Sequence, residues 1–177
     1  GARALVMKKY FKIWLILTGV ASQIAFQSRF GAVVFITGKI LRFLFFFVFL
    51  LVISSKIKLI WGYSLWQMIF FFITFNLVDT LAQFFLREVY RFRSYVVSGD
   101  FDYILTKPIS PLFRSLFGGS DILDLSIIGL SIAFIAFSIE KIGGVSLFGI
   151  ALYTALILNA FLIALAFHIF VLSIGVL

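Results

Sequence analysis

The chain has 177 residues, 63% of them hydrophobic and 12% charged, with 25 Phe and a mean hydropathy of +1.20. Ordinary globular domains are roughly 45–50% apolar, so a water-soluble fold of this size could not cover its apolar surface, and lipid is the expected solvent. The net charge of +8 then marks basic loops facing anionic lipid rather than a nucleic-acid surface. The lack of cysteine excludes a disulfide framework and a thiolate metal site.

Met7-Lys8-Lys9 reads as a natural start, with Gly1 to Val6 as an upstream extension. Residues 8–27 are the first predicted helix. Lys8, Lys12, Gly19, Gln23 and Gln27 lie near one face, and Phe11, Trp14, Leu15, Leu17 and Ile24 occupy much of the rest. That pattern suits a helix lying in the headgroup layer. A signal peptide is the competing reading. It ranks second because another apolar span follows directly after Arg29.

Four spans are predicted over residues 30–53, 65–86, 122–139 and 147–170. The loop after the first carries Lys56, Lys58 and Trp61, the last a candidate interfacial anchor. Ser120 or Asp121 is the expected cap of the third span, and Asp121 and Asp124 suit the positive end of its dipole. The apolar run from Leu147 to Leu177 exceeds what one span needs, so a tilt or a break near Ser173 to Gly175 is expected. It ends without a polar tail, as the first part of a longer membrane protein would.

Orientation follows from the basic residues near span ends. Arg3, Lys8, Lys9, Lys12 and Arg29 precede the first span, and Arg87, Arg91, Arg93, Lys107 and Arg114 follow the second. Only Lys56, Lys58 and Lys141 stand on the other side. The amino terminus and residues 87–121 are therefore expected in the cytoplasm, and the whole chain is read as one transmembrane domain.

Two groups of residues carry chemistry. Lys39 and Arg42 in the first span and Asp79 in the second fall at similar depth, which predicts that Asp79 pairs with Arg42 or Lys39. Asn76, Asp79 and Gln83 share a helix face. Asn159 and His168 are lone polar groups in the last span. They are better suited to interhelical hydrogen bonds than to metal. These seven are the candidates for a translocation path. The bland reading is snorkelling by Lys39 and Arg42, with Asp79 as packing glue.

The other group is the polar stretch of residues 87–121. A basic helix from Arg87 is broken at Ser98-Gly99-Asp100, and Lys107-Pro108 with Ser110-Pro111 imposes a rigid turn between two short amphipathic pieces. Such a platform suits protein docking; the bland alternative is a helix resting on the membrane. Nucleotide-binding and hydrolase motifs are missing from the sequence: Gly38-Lys39 has no upstream glycine, and neither H-E-x-x-H nor G-x-S-x-G occurs.

The run SGDFDYILTKPISPLF, residues 98–113, resembles a signature of type-2 ATP-binding-cassette (ABC) transporter permeases, G-x-L-D-x-x-L-x-K-P-x-x-P-L. Gly99, Asp102, Leu105, Lys107, Pro108, Pro111 and Leu112 match it, and Phe101 replaces the usual Leu. The resemblance implies an all-α, polytopic membrane helix bundle with an N-terminal interfacial elbow helix and a cytoplasmic coupling segment, here about the first four of six spans. It implies an ATP-driven exporter of the inner membrane, built from two permeases and two separate ATPase subunits. ATP would be bound by the partner, so the chain itself would be no enzyme and hold no cofactor or metal. The ATPase would be contacted through Gly99, Asp100, Asp102, Lys107, Pro108, Pro111 and Arg114. The alternative is a non-transporting membrane scaffold or assembly protein that uses residues 87–121 for docking. A membrane-embedded enzyme is disfavoured, since no carboxylate, His or Ser cluster is apparent.

Overall fold

The computed structural model describes residues 2–56 and 62–175. Lys58, Trp61 and Leu177 lie outside the described residues, as do the side chains of Arg3 and Lys56. The described chain is all-α. Its helices are α1 (Ala2–Gln27), α2 (Arg29–Lys56), α3 (Leu65–Leu86), α4 (Val89–Ser98), α5 (Asp100–Leu105), α6 (Pro111–Leu116), α7 (Asp124–Ile142) and α8 (Leu147–Gly175). Four stretches are long and apolar enough to cross a bilayer: Arg29–Ile53, Leu65–Ser98, Asp124–Ile142 and Leu147–Gly175. The shortest has 19 residues, and at 1.5 Å per residue it spans nearly the ~30 Å hydrocarbon core.

Local chemistry sets the breaks. Gly99 takes φ 79° and ends α4, its N–H bonding back to the carbonyl of Val96 at 3.3 Å. A left-handed residue here lets α5 start at once in a new direction. Ser110 caps α6 by accepting from the N–H of Phe113, and Pro111 occupies the first helical position.

Three expectations are corrected. Helix α1 begins at Ala2, ahead of Met7. Helix α7 begins at Asp124, and neither Ser120 nor Asp121 caps it: Leu123 stands at the cap position with no side-chain bond. Ser120 instead takes the indole N–H of Trp14, and Asp121 pairs with Arg87. Of the two ways expected for the last span, a tilt or a break near Ser173 to Gly175, a break within the described residues is excluded: helix α8 runs unbroken to Gly175. The hydroxyl of Ser173 bonds to the carbonyl of Phe170 at 2.6 Å and leaves the helix intact.

The chain gathers into two compact units. One contains α1 to Ser28, Ala82–Ile122 and the chain from Phe161; the other contains Arg29–Leu81 and Leu123–Ala160. The first is centred on Leu86, Val89, Phe92, Leu116 and Leu172. The second is centred on Phe43, Leu50, Ile69, Ile73, Leu77 and Ile135. There Phe43 meets Phe72 at 5.6 Å and Phe134 at 5.5 Å between ring centres. Thr74 and Tyr153 share a hydroxyl hydrogen bond of 2.9 Å in the same unit.

On α7, Asp124, Ser131 and Ser138 recur every seven residues and are fully buried. The hydroxyls of Ser131 and Ser138 have no hydrogen-bond partner among the described residues. Small residues of this kind fit where helices pack closely. Ser131→Ala is expected to leave thermal stability in detergent within about 0.5 kcal/mol of the parent. Ser131→Leu is expected to cost about 1–3 kcal/mol through overpacking. Thermal unfolding of the two variants checks this.

Candidate functional site

The platform of residues 87–121 is organised around Glu88. Its side chain is 4% exposed and receives Arg114 at 2.5 Å, while Arg91 stands 3.6 Å away. The Tyr95 hydroxyl donates to the same carboxylate at 3.0 Å. The Arg114 guanidinium also lies 5.8 Å from the Tyr95 ring centre. Two helices that are short on their own, α4 and α6, are therefore tied by one carboxylate. Gly118 passes directly beside this group. A side chain there would overlap both Arg114 and Glu88.

Helix α1 closes the other side of the platform. Lys9 Nζ donates to the carbonyl of Pro108 at 2.7 Å, and Ser110 N–H donates to the Tyr10 hydroxyl at 3.2 Å. The Tyr10 ring meets Phe113 edge-on at 4.7 Å. Trp14 Nε1 donates to Ser120 Oγ at 3.1 Å, and Ser120 N–H donates to Thr18 Oγ1 at 3.2 Å. Gly119, at φ 147°, lets the loop graze α1: a Cβ there would stand 3.0 Å from both Ala21 Cβ and the Leu17 carbonyl. The contacts at Tyr10, Trp14, Leu17, Thr18 and Ala21 follow the helical period.

Of the residues expected to contact the ATPase, Gly99, Asp100, Asp102, Lys107 and Pro108 are exposed, and Pro111 is partly buried as the start of α6. Arg114 is turned inward to Glu88. It holds the platform together from behind.

The intramembrane candidates divide. In the second unit Lys39 pairs with Asp124, whose side chain is fully buried, and the Lys39 ammonium lies 4.7 Å from the Phe35 ring centre. Arg42 stands 3.7 Å from Asp79, with both side chains partly exposed. Asp79 is thus paired with Arg42, one of the two expected partners, and Asp124 engages Lys39 besides standing at a helix end. Asn76 donates to the carbonyl of Phe72 one turn back, and it lines the same recess as Arg42 and Asp79. Asn159 is exposed on α8 and does not line that recess. Gln83 and His168 belong to the first unit. There the His168 ring donates from Nδ1 to the Ala164 carbonyl at 2.7 Å, leaving Nε2 to face the Tyr90 hydroxyl at 3.4 Å. Among the described residues no group of three acidic or histidine side chains could hold a metal ion.

A family described as ABC-2 family transporter protein matches residues 40–176. The chain belongs to this family. No curated protein and no solved structure matches it. It is thus a multi-pass membrane component, a permease, of an ABC transporter.

In this ABC-2 permease, Glu88 is a structural determinant absent from the sequence expectations, and Trp14 and Ser120 act as partners of each other, in place of the helix cap expected of Ser120. Glu88 is the only acidic residue between Asp79 and Asp100 and stands among Arg87, Arg91 and Arg93, a local signal for an ion-pair hub. Glu88→Ala would leave Arg114 largely buried without its carboxylate, at a cost of about 3–5 kcal/mol. Glu88→Ala with Arg114→Met should recover part of that loss, with a coupling energy above ~1 kcal/mol in a thermal-stability double-mutant cycle. The same cycle on Lys39 and Asp124 should show stronger coupling than on Arg42 and Asp79, because the latter pair is more exposed and more distant.

Proposed function

We propose that this permease works in an ATP-driven exporter and that α5, α6 and the turn between them are where a separate ATPase subunit docks. The exposed composition of this segment carries the reading. Asp100, Asp102, Lys107 and Pro108 are exposed, next to Tyr103 at 72%, Leu105 at 54% and Leu112 at 50%. An aromatic and aliphatic surface rimmed by both signs of charge has the composition of a protein interface. The same segment is fastened from behind, by Arg114 to Glu88 and by Lys9, Tyr10 and Trp14 of α1. A surface that must receive force needs such fastening, since a loose loop would absorb the displacement.

In this reading the platform and the amino terminus face the cytoplasm, and the protein lies in the inner membrane with α1 at its cytoplasmic surface. Two permeases and two ATPases form the working unit. ATP binds and is hydrolysed in the partner, whose closure displaces α5–α6. Helix α4 continues from α3 through the Arg87-Glu88 turn, so displacement of the platform would be passed directly to a membrane helix. Substrate would then move outward along the path that the spans of the two permeases form.

Affinity purification of the full-length permease from its native membrane tests this. A P-loop ATPase should accompany it in near-equal amount. Asp102→Arg or Tyr103→Ala should lower ATPase recovery roughly 30-fold, the equivalent of a ~2 kcal/mol interface hot spot. The amount of permease in the membrane should not change. A permease that arrives without an ATPase, or whose ATPase is indifferent to both substitutions, would sink the docking assignment.

A further inference from the structure

Within the second unit, Arg42 and Asp79 stand at the polar end of a Phe-walled recess of about 780 Å³. A second recess of about 790 Å³ shares the Phe46, Phe72 and Phe75 walls and reaches Gln67 and Tyr63. From Asp79 to Gln67 along α3 is twelve residues, about 18 Å at helical rise. That is close to half of the ~30 Å hydrocarbon core, the length of the acyl chains of one leaflet. Phe46 and Phe72 stack at 4.1 Å between ring centres and form a firm floor. Phe71 and Phe75 are 77% and 64% exposed along it.

The charges at the end select the occupant. Lys39 is engaged by Asp124 and does not line either recess. Arg42 and Asp79 therefore bring one positive and one negative charge, and their sum is zero. They stand 3.7 Å apart with side chains 62% and 36% exposed, so both present charged atoms to the recess. An anionic group added beside them would leave a net negative charge at the depth of the hydrocarbon, which is costly. A zwitterionic group would not: its anion can take the planar guanidinium and its cation the carboxylate, and the ensemble stays neutral.

We propose that this recess binds a zwitterionic phospholipid, its headgroup opened across Arg42 and Asp79 and an acyl chain laid along Phe46, Phe72 and Phe75. This rests on the transport reading, and it names the chemical class of the cargo: a membrane lipid taken up with its headgroup at the depth of the charge pair.

The test uses full-length permease in mixed micelles with two photoactivatable lipids of identical chains, one a phosphatidylcholine and one a phosphatidylglycerol. The choline lipid should label the segment 63–79 of the unaltered protein in preference to the glycerol lipid. Arg42→Gln should lower that labelling roughly tenfold, as loss of a charge-assisted contact in a low-dielectric site would. Asp79→Asn should invert the preference toward the anionic lipid, as loss of the negative member of the pair leaves Arg42 uncompensated. Equal labelling by both lipids in the unaltered protein would overturn the proposal, because it would show annular lipid on an apolar wall. So would a photoreactive side chain at Phe75 that captures protein in place of lipid, since the recess would then be a helix interface. The headgroup comparison needs no substitution and so does not depend on a variant's folding. Recovery of an ATPase with the permease is read separately, so loss of lipid selectivity with the ATPase retained would refute the lipid site alone.

Discussion

Charge withdrawn from water must be neutralised where it stands, and this condition organises both compact units of the protein. In one, the Glu88 carboxylate is nearly inaccessible and holds Arg114, Arg91 and the Tyr95 hydroxyl. In the other, fully buried Asp124 holds Lys39. Removing a single member of such a group exposes the protein to the desolvation penalty of its partner. Each group also joins segments far apart in sequence: residues 88 and 114 in one, 39 and 124 in the other. The ion pairs therefore define which helices belong together, beyond what undirected apolar packing could specify.

The backbone imposes a parallel condition on the non-helical chain on either side of α6, residues 108–110 and 117–120. Its carbonyls and N–H groups lie outside regular helix hydrogen bonding and need partners. Helix α1 supplies them through side chains: Lys9 for the Pro108 carbonyl, Tyr10 for the Ser110 N–H and Thr18 for the Ser120 N–H. Gly119 permits the close approach on which this depends. A helix expected to rest on lipid is thus also the scaffold of the platform.

The two units suit different tasks. The first offers a stiff surface with protein-interface composition. The second offers a hydrophobic recess with a compensated charge pair at one end. In the proposed mechanism one surface receives movement and the other meets cargo. The lining of the recess is mostly phenylalanine, a side chain that contributes large apolar area and few rotamers to lose on binding.

Much of this was legible in the sequence because it depends on composition and on local geometry. Apolar runs of sufficient length between charged clusters demand membrane-spanning helices, since a lipid-exposed backbone must satisfy its own hydrogen bonds. Gly99, Ser110 and Pro111 mark breaks and starts through conformational preferences that act within a few residues. The matches around Lys107-Pro108 suggested the family for the same local reason. Pairing was decided only by the tertiary structure. Arg42 and Lys39 lie on the same helix within one turn, and nothing local distinguishes which of them meets Asp79. Ser120 and Asp121 looked like helix caps because capping is the commonest local use of such residues, yet Trp14 and Arg87 claimed them from 106 and 34 residues away. Spacing along one helix states which side chains share a face; which partner that face meets is set by the packing of segments remote in the chain.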